Sequence, residues 1–172
     1  MQLNHYGEEP VRFAVGLVVR PPASPVDLVR RCTDAGIVGS DVVGDTGHLE
    51  VEKFMARWLA VVDAPDSPTR ARLLNELLAD TSAHPRLTDH FGGWHLHYRD
   101  ENLDLPAVVR ALISVGTALH LTGRGMDRLR RCALAECANP FGDFTRAGRQ
   151  RYCSPTCANR DAVRRHRARR TD

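Results

Sequence analysis

The sequence predicts a mainly α chain in two parts: a helical domain over residues 1–124, then a small module of β-hairpin plus α-helix over 125–172. Three observations predict it. Ser-Pro pairs at Ser24-Pro25, Ser67-Pro68 and Ser154-Pro155 each place a hydroxyl ahead of a proline that suits a first helical turn. Apolar residues recur at helical spacing in the segments between breakers. Finally, four of the five cysteines lie in two close pairs near the end of the chain, inside a tail dense in arginine.

Taken in order, Val11–Val19 (VRFAVGLVV) is an apolar run too short to assign by period; a buried strand or the start of a helix would both give it. The stretch Arg20-Pro21-Pro22 breaks the run. Ser24-Pro25 then starts a helix through about Ala35, which Gly36 ends, and residues 39–47 form a loop. Leu49, Phe54, Trp58, Leu59 and Val62 share a face of the next helix, which starts at His48 or Leu49 and stops at Asp63-Ala64-Pro65. Ser67-Pro68 opens a helix with the stripe Leu73, Leu74, Leu77 and Leu78, ending near Ala83. Pro106 begins the most apolar helix, with Gly123 as its cap.

Between these last two helices, one hairpin is expected at Trp94–Tyr98, with Trp94, Leu96 and Tyr98 on its core face. His95 and His97 then share the opposite face. With His90 across a glycine turn they form the one cluster in this domain that a second metal could use. No H-E-x-x-H accompanies them, and exposed histidines on a strand are the plainer account. No phosphate loop and no serine or cysteine nucleophile with a local signature is present, so an enzyme is not expected. A small metalloenzyme built on the histidines is the weakest of the functional alternatives.

The tail carries most of the chemistry. Cys132 and Cys137 are spaced C-x4-C; fifteen residues later Cys153 and Cys157 are spaced C-x3-C. Two such pairs can close a tetrahedral thiolate shell around one structural Zn²⁺. Two disulfides are the competing account, but no basic-then-apolar leader is seen in MQLNHYGEEPVRF, and a cytoplasmic location, where thiols stay reduced, is expected. Cys32 stands apart and is expected to pack in the core. Within the module, Phe144-Thr145 and Gln150-Arg151-Tyr152 are expected to pair across the Ala147-Gly148-Arg149 turn, with Phe141, Phe144 and Tyr152 as its own small core. Ser154-Pro155 starts the last helix, with Cys157 in its first turn.

That helix carries Arg160, Arg164 and Arg167 on one face, with Arg165 and Arg169 beside them. Like charges on one helix repel, whereas phosphate rewards them through counterion release; a merely solvated basic tail is the bland alternative. The charge asymmetry is consistent with a phosphate partner. Residues 125–172 hold twelve arginines and five acids, net +7, against −4 for residues 1–124 and +3 overall. Four thiolates around Zn²⁺ would lower the tail's charge by two and leave it positive.

The motif residues resemble those of the CGNR zinc finger, a family of modules regarded as DNA-binding in bacterial regulators. The matching residues are Asp127-Arg128-Leu129-Arg130-Arg131-Cys132, then Cys137, Phe141 and Asp143, then Arg149-Gln150-Arg151-Tyr152-Cys153-Ser154, and Cys157-Ala158-Asn159-Arg160. Ala158 replaces the name-giving glycine, and three residues separate the last two cysteines where the family usually has four. In that family the finger commonly follows a mostly helical ABATE domain, assigned to stress-induced transcription regulators. The resemblance implies a DNA-binding regulator.

The expected function is therefore a zinc-dependent transcription regulator acting on double-stranded DNA. Arg160, Arg164, Arg165, Arg167 and Arg169 supply the basic helix, Asn159 is a candidate for adenine, and Arg149 and Arg151 clamp the backbone. The helical domain would sense a small-molecule effector or form a homodimer, since one finger has a small footprint. The alternative is an RNA-binding or protein-interaction module using the three aromatic rings. With 42% hydrophobic and 26% charged residues the chain can bury a core, and no apolar run suggests a membrane partner.

Overall fold

The computed structural model describes residues 7–37, 43–89 and 93–169. Among these the chain forms six helices and two two-stranded antiparallel sheets. The loop expected over 39–47 falls partly, and His90 wholly, outside the described residues.

The ambiguous first run is helix α1 (Glu8–Val19), not a strand. Its buried residues Pro10, Val11, Ala14 and Leu17 follow a three-to-four spacing, and Glu8 and Glu9 favour the positive end of the helix dipole. It crosses α5 (Leu105–Arg124) at a glycine contact: a Cβ on Gly116 would sit 2.3 Å from Pro10 Cβ. No other residue permits the two helices to approach so closely.

Helix α2 (Pro25–Asp34) starts as expected, with Ser24 Oγ accepting from Asp27 N at 3.2 Å, and buries Leu28 and Cys32. Burial pushes the Cys32 thiol up to about 12, which fits an inert core cysteine. In α3 (Gly47–Val62), Trp58 is fully buried and its indole N–H donates to Thr117 Oγ1 of α5 at 2.9 Å. Helix α4 (Ser67–Thr81) is capped one residue earlier than expected: Asp66, not Ser67, accepts from Thr69 N at 2.7 Å.

Helix α5 is capped by Asp104 and runs through Gly123, ending instead at Gly125 with φ +123°. By length and composition it is apolar enough to cross a membrane, although no apolar run in the sequence pointed to one. Two-thirds of its apolar window (67%) is buried among the other helices, so its apolarity serves the core.

Strands β1 (Arg86–Thr88) and β2 (His95–His97) pair with Leu87 opposite Leu96. The expected core face is a correction. Trp94 is 74% exposed and Leu96 47%, because no described helix packs over that face. His95 and His97 do share a face, with ring centroids 5.2 Å apart.

The second hairpin also differs from expectation. Strand β3 (Leu129–Arg131) pairs with β4 (Pro140–Gly142), so the first cysteine pair lies in the connection, and residues 144–145 and 150–152 do not pair. The reason is Asp143. Its buried carboxylate accepts from Thr145 N (2.9 Å), Thr145 Oγ1 (2.6 Å) and Gln150 N (3.0 Å), which closes residues 145–150 as a loop in place of a ladder.

The hairpin is docked on the bundle. Leu129 is fully buried in the main core, and Phe144 packs against that core with its ring 4.9 Å from the His120 ring and Arg12 stacked above it at 4.3 Å. Phe141 is buried, whereas Tyr152 packs on the cysteines. The three rings therefore do not form a separate core as expected.

Candidate metal centre and arginine helix

The first knuckle follows β3. Cys132 N donates to Asn139 O and Cys137 N to Leu134 O, and Ala138 adopts the left-handed conformation at φ +49°. Leu134, fully buried, is the apolar centre around which Cys132, Cys157 and the half-buried Cys137, Cys153 and Tyr152 pack. The second knuckle runs into helix α6 (Pro155–Ala168). Ser154 is its N-cap, with Oγ accepting from Cys157 N at 3.2 Å, so Cys157 lies in the first turn as expected.

All four cysteines of the pairs are free thiols and their Sγ atoms lie within 4.8 Å of one another. Cys137 and Cys153 are 3.6 Å apart and Cys153 and Cys157 3.7 Å. A disulfide requires ~2.05 Å. A tetrahedral shell with Zn–S near 2.3 Å has edges of about 3.8 Å, so the set fits one structural Zn²⁺. Cys153 N also points at Cys132 Sγ at 3.4 Å, the outer hydrogen bond expected for a metal-bound thiolate. Cys132, Cys137, Cys153 and Cys157 are thus brought together as the spacing predicted. Among the described residues His95 and His97 join no comparable cluster.

The arginines divide into two groups. Those leading into the finger are committed to structure. Arg131 makes a two-pronged contact with Asp63 at the end of α3, both bonds 2.7 Å, and Arg128 donates to Thr145 O and Arg124 O and faces Asp143 at 3.6 Å. Arg130 reaches Gly148 O at 3.1 Å. Arg70 of α4 donates to Val61 O, Val62 O and Ala64 O at the end of α3 and to Met126 O, stitching the junction from the other side.

The second group is exposed. Asn159, Arg160, Arg164 and Arg167 line one side of an open groove of about 580 Å³ along α6, with Glu136 of the first knuckle opposite. Arg165 and Arg169 do not line it: at about 100° per residue they fall on another face. Arg149 and Arg151 are exposed on the loop before α6, with the Arg151 backbone tied to Ala133 N and its guanidinium 5.8 Å from the Tyr152 ring centre.

Two acids that the sequence reading did not single out organise this helix. Asp161 is buried and accepts from Tyr152 Oη at 2.6 Å, while Arg164 and Arg165 pair with it at 2.8 and 2.9 Å. The Tyr152 hydroxyl, followed by the two arginines, holds its carboxyl below the usual range despite burial. Glu136 pairs with Arg160 and Arg164 at 3.9 and 3.5 Å. The signal for Asp161 was present as the lone acid inside an arginine run, three and four residues before two arginines.

Residues 128–170 match the family model described as the CGNR zinc finger. No curated protein matches the chain. With the four converging thiolates, this match makes the tail a four-cysteine zinc finger.

Proposed function

We propose that the chain is a zinc-dependent transcription regulator that binds duplex DNA through α6, a binding protein and not an enzyme. The observation that carries this reading is the exposed groove face of α6, where Asn159, Arg160, Arg164 and Arg167 project from a helix whose first turn holds the zinc ligand Cys157. A helix held in this way meets DNA with little further ordering cost. Arg149 and Arg151 lie just before it, suited to the phosphate backbone.

The burial of Phe141 and the packing of Phe144 on the bundle support duplex over single-strand binding, since those rings offer no platform for unstacked bases. In this reading the helical bundle takes the place of the ABATE domain, senses a small-molecule effector or dimerises, and the protein acts in the cytoplasm.

The test is duplex affinity across a salt series. Wild type is expected to bind with a steep salt dependence, and Arg160→Ala and Arg167→Ala each to flatten the log–log slope by about one unit for every phosphate contact removed. Cys153→Ser is expected to lose zinc and this affinity together. Duplex binding that is absent, or indifferent to all three changes, overturns the reading.

A further inference from the structure

Val163 is the large apolar member of the α6 groove face. Among the described residues of the finger it is the one large apolar side chain left in solvent, at 50% exposure, on a helix otherwise made of arginine and small or polar residues. Valine forms helix less well than alanine, and the half of its surface left in water gains nothing from burial. It stands in the middle of the groove, with Asn159 one turn before it and Arg167 one turn after. Thr156, two turns before, is on the same face.

Glu136 bears on what that groove meets. Its carboxylate lies against Arg160 and Arg164 and so places negative charge on the same surface. It offsets part of the positive charge that would draw a phosphate to these two arginines. Base edges present donors as well as acceptors, and a carboxylate that orients guanidinium planes is compatible with them. Amide, guanidinium and apolar side chains on one helix face are the set that distinguishes base pairs in the major groove. The amide pairs with adenine, the guanidinium with guanine, and the apolar group with the thymine C5-methyl. A helix of about 10–12 Å diameter also matches a groove about 12 Å wide.

We infer that Val163 contacts the C5-methyl of a thymine, and is therefore a specificity-determining residue of α6. The inference rests on the duplex-binding reading and adds to it the class of base that the helix selects. The C5-methyl is the one apolar group on the major-groove edge of unmodified DNA, and RNA lacks it. The same contact therefore separates DNA from RNA of equivalent sequence.

The experiment uses the full zinc-loaded chain. Duplexes are enriched from a random pool, and each thymine of the enriched sequence is replaced singly by deoxyuridine, which removes one methyl and leaves every hydrogen-bonding group. In wild type, one position per bound finger is expected to weaken binding about three- to tenfold, and in Val163→Ala by no more than about twofold. Val163→Thr, which keeps one methyl, is expected to fall between. Val163 is exposed and alanine favours helix, so zinc content and circular dichroism should match wild type.

An enriched duplex with no methyl-sensitive position, or with the same sensitivity in Val163→Ala, overturns the inference. Duplex binding with no enriched sequence overturns it as well but leaves the electrostatic reading of α6 standing. Absence of duplex binding, or tighter binding to RNA of the same sequence, overturns both.

Discussion

Gly148 shows how much one residue of the finger loop must satisfy. Its φ is +66°, and a Cβ there would lie 2.2 Å from Arg128 Cζ. The side chain it would displace is the guanidinium that holds Thr145 O and Arg124 O and faces Asp143. Gly148→Ala is expected to destabilise the chain by about 1–3 kcal/mol in urea unfolding, from backbone strain and the displaced guanidinium together. The turn itself was legible, because glycine after Arg146-Ala147 marks one. Its tenant was not, since Arg128 is twenty positions away and nothing local announces it. The four metal ligands were the reverse: spacing alone identified them, because thiolate chemistry at two close pairs admits few other arrangements.

Helix α6 is fixed at two points, the zinc shell at Cys157 and the Tyr152–Asp161 hydrogen bond one turn on. Tyr152→Phe and Asp161→Asn are each expected to speed hydrogen exchange of the α6 amides at neutral pH, and the double variant to exchange no faster than the singles. Additive effects would show that the two side chains act separately. Helix starts were readable wherever a cap precedes proline, as at Ser24 and Ser154, since capping is a local bond. Strand pairing was not. The finger hairpin was expected across Gly148, but Asp143 spends the backbone donors there and the pairing moved to the far side of the first knuckle. At the other hairpin the alternation was read correctly and its inward face was not, because alternation marks two faces without saying which one the bundle covers.

For the whole molecule, the junction between bundle and finger rests on Leu129 in the core and on the Arg131–Asp63 pair. The Arg131 hydrogen bonds hold the Asp63 carboxyl below its ordinary value, against a smaller opposing effect of burial. A depressed carboxyl stabilises the fold above its unfolded value near about 4, and that stabilisation is lost as pH falls through the lower folded value. Asp63→Asn is therefore expected to cost about 0.5–1 kcal/mol at neutral pH, since the pair is part-exposed, and to flatten the acid limb of a urea-midpoint profile below about pH 4. An unchanged acid limb would show that other carboxylates dominate it. The overall helical character was legible because it sums many local signals. The docking of finger on bundle was not, because it depends on arginines whose partners are carbonyls and acids remote in sequence.

The anchoring of α6 has a mechanical consequence. A 14-residue helix is a lever roughly 21 Å long. Pivoting by about 10° at its base alone would carry the tip through roughly 3.7 Å, close to the spacing of adjacent base pairs. The Tyr152–Asp161 bond is the brace that stiffens this lever. If α6 lies on duplex DNA as proposed, Tyr152→Phe should blur which base pair the tip addresses before it lowers the strength of the grip, because the charges survive and only their aim is lost.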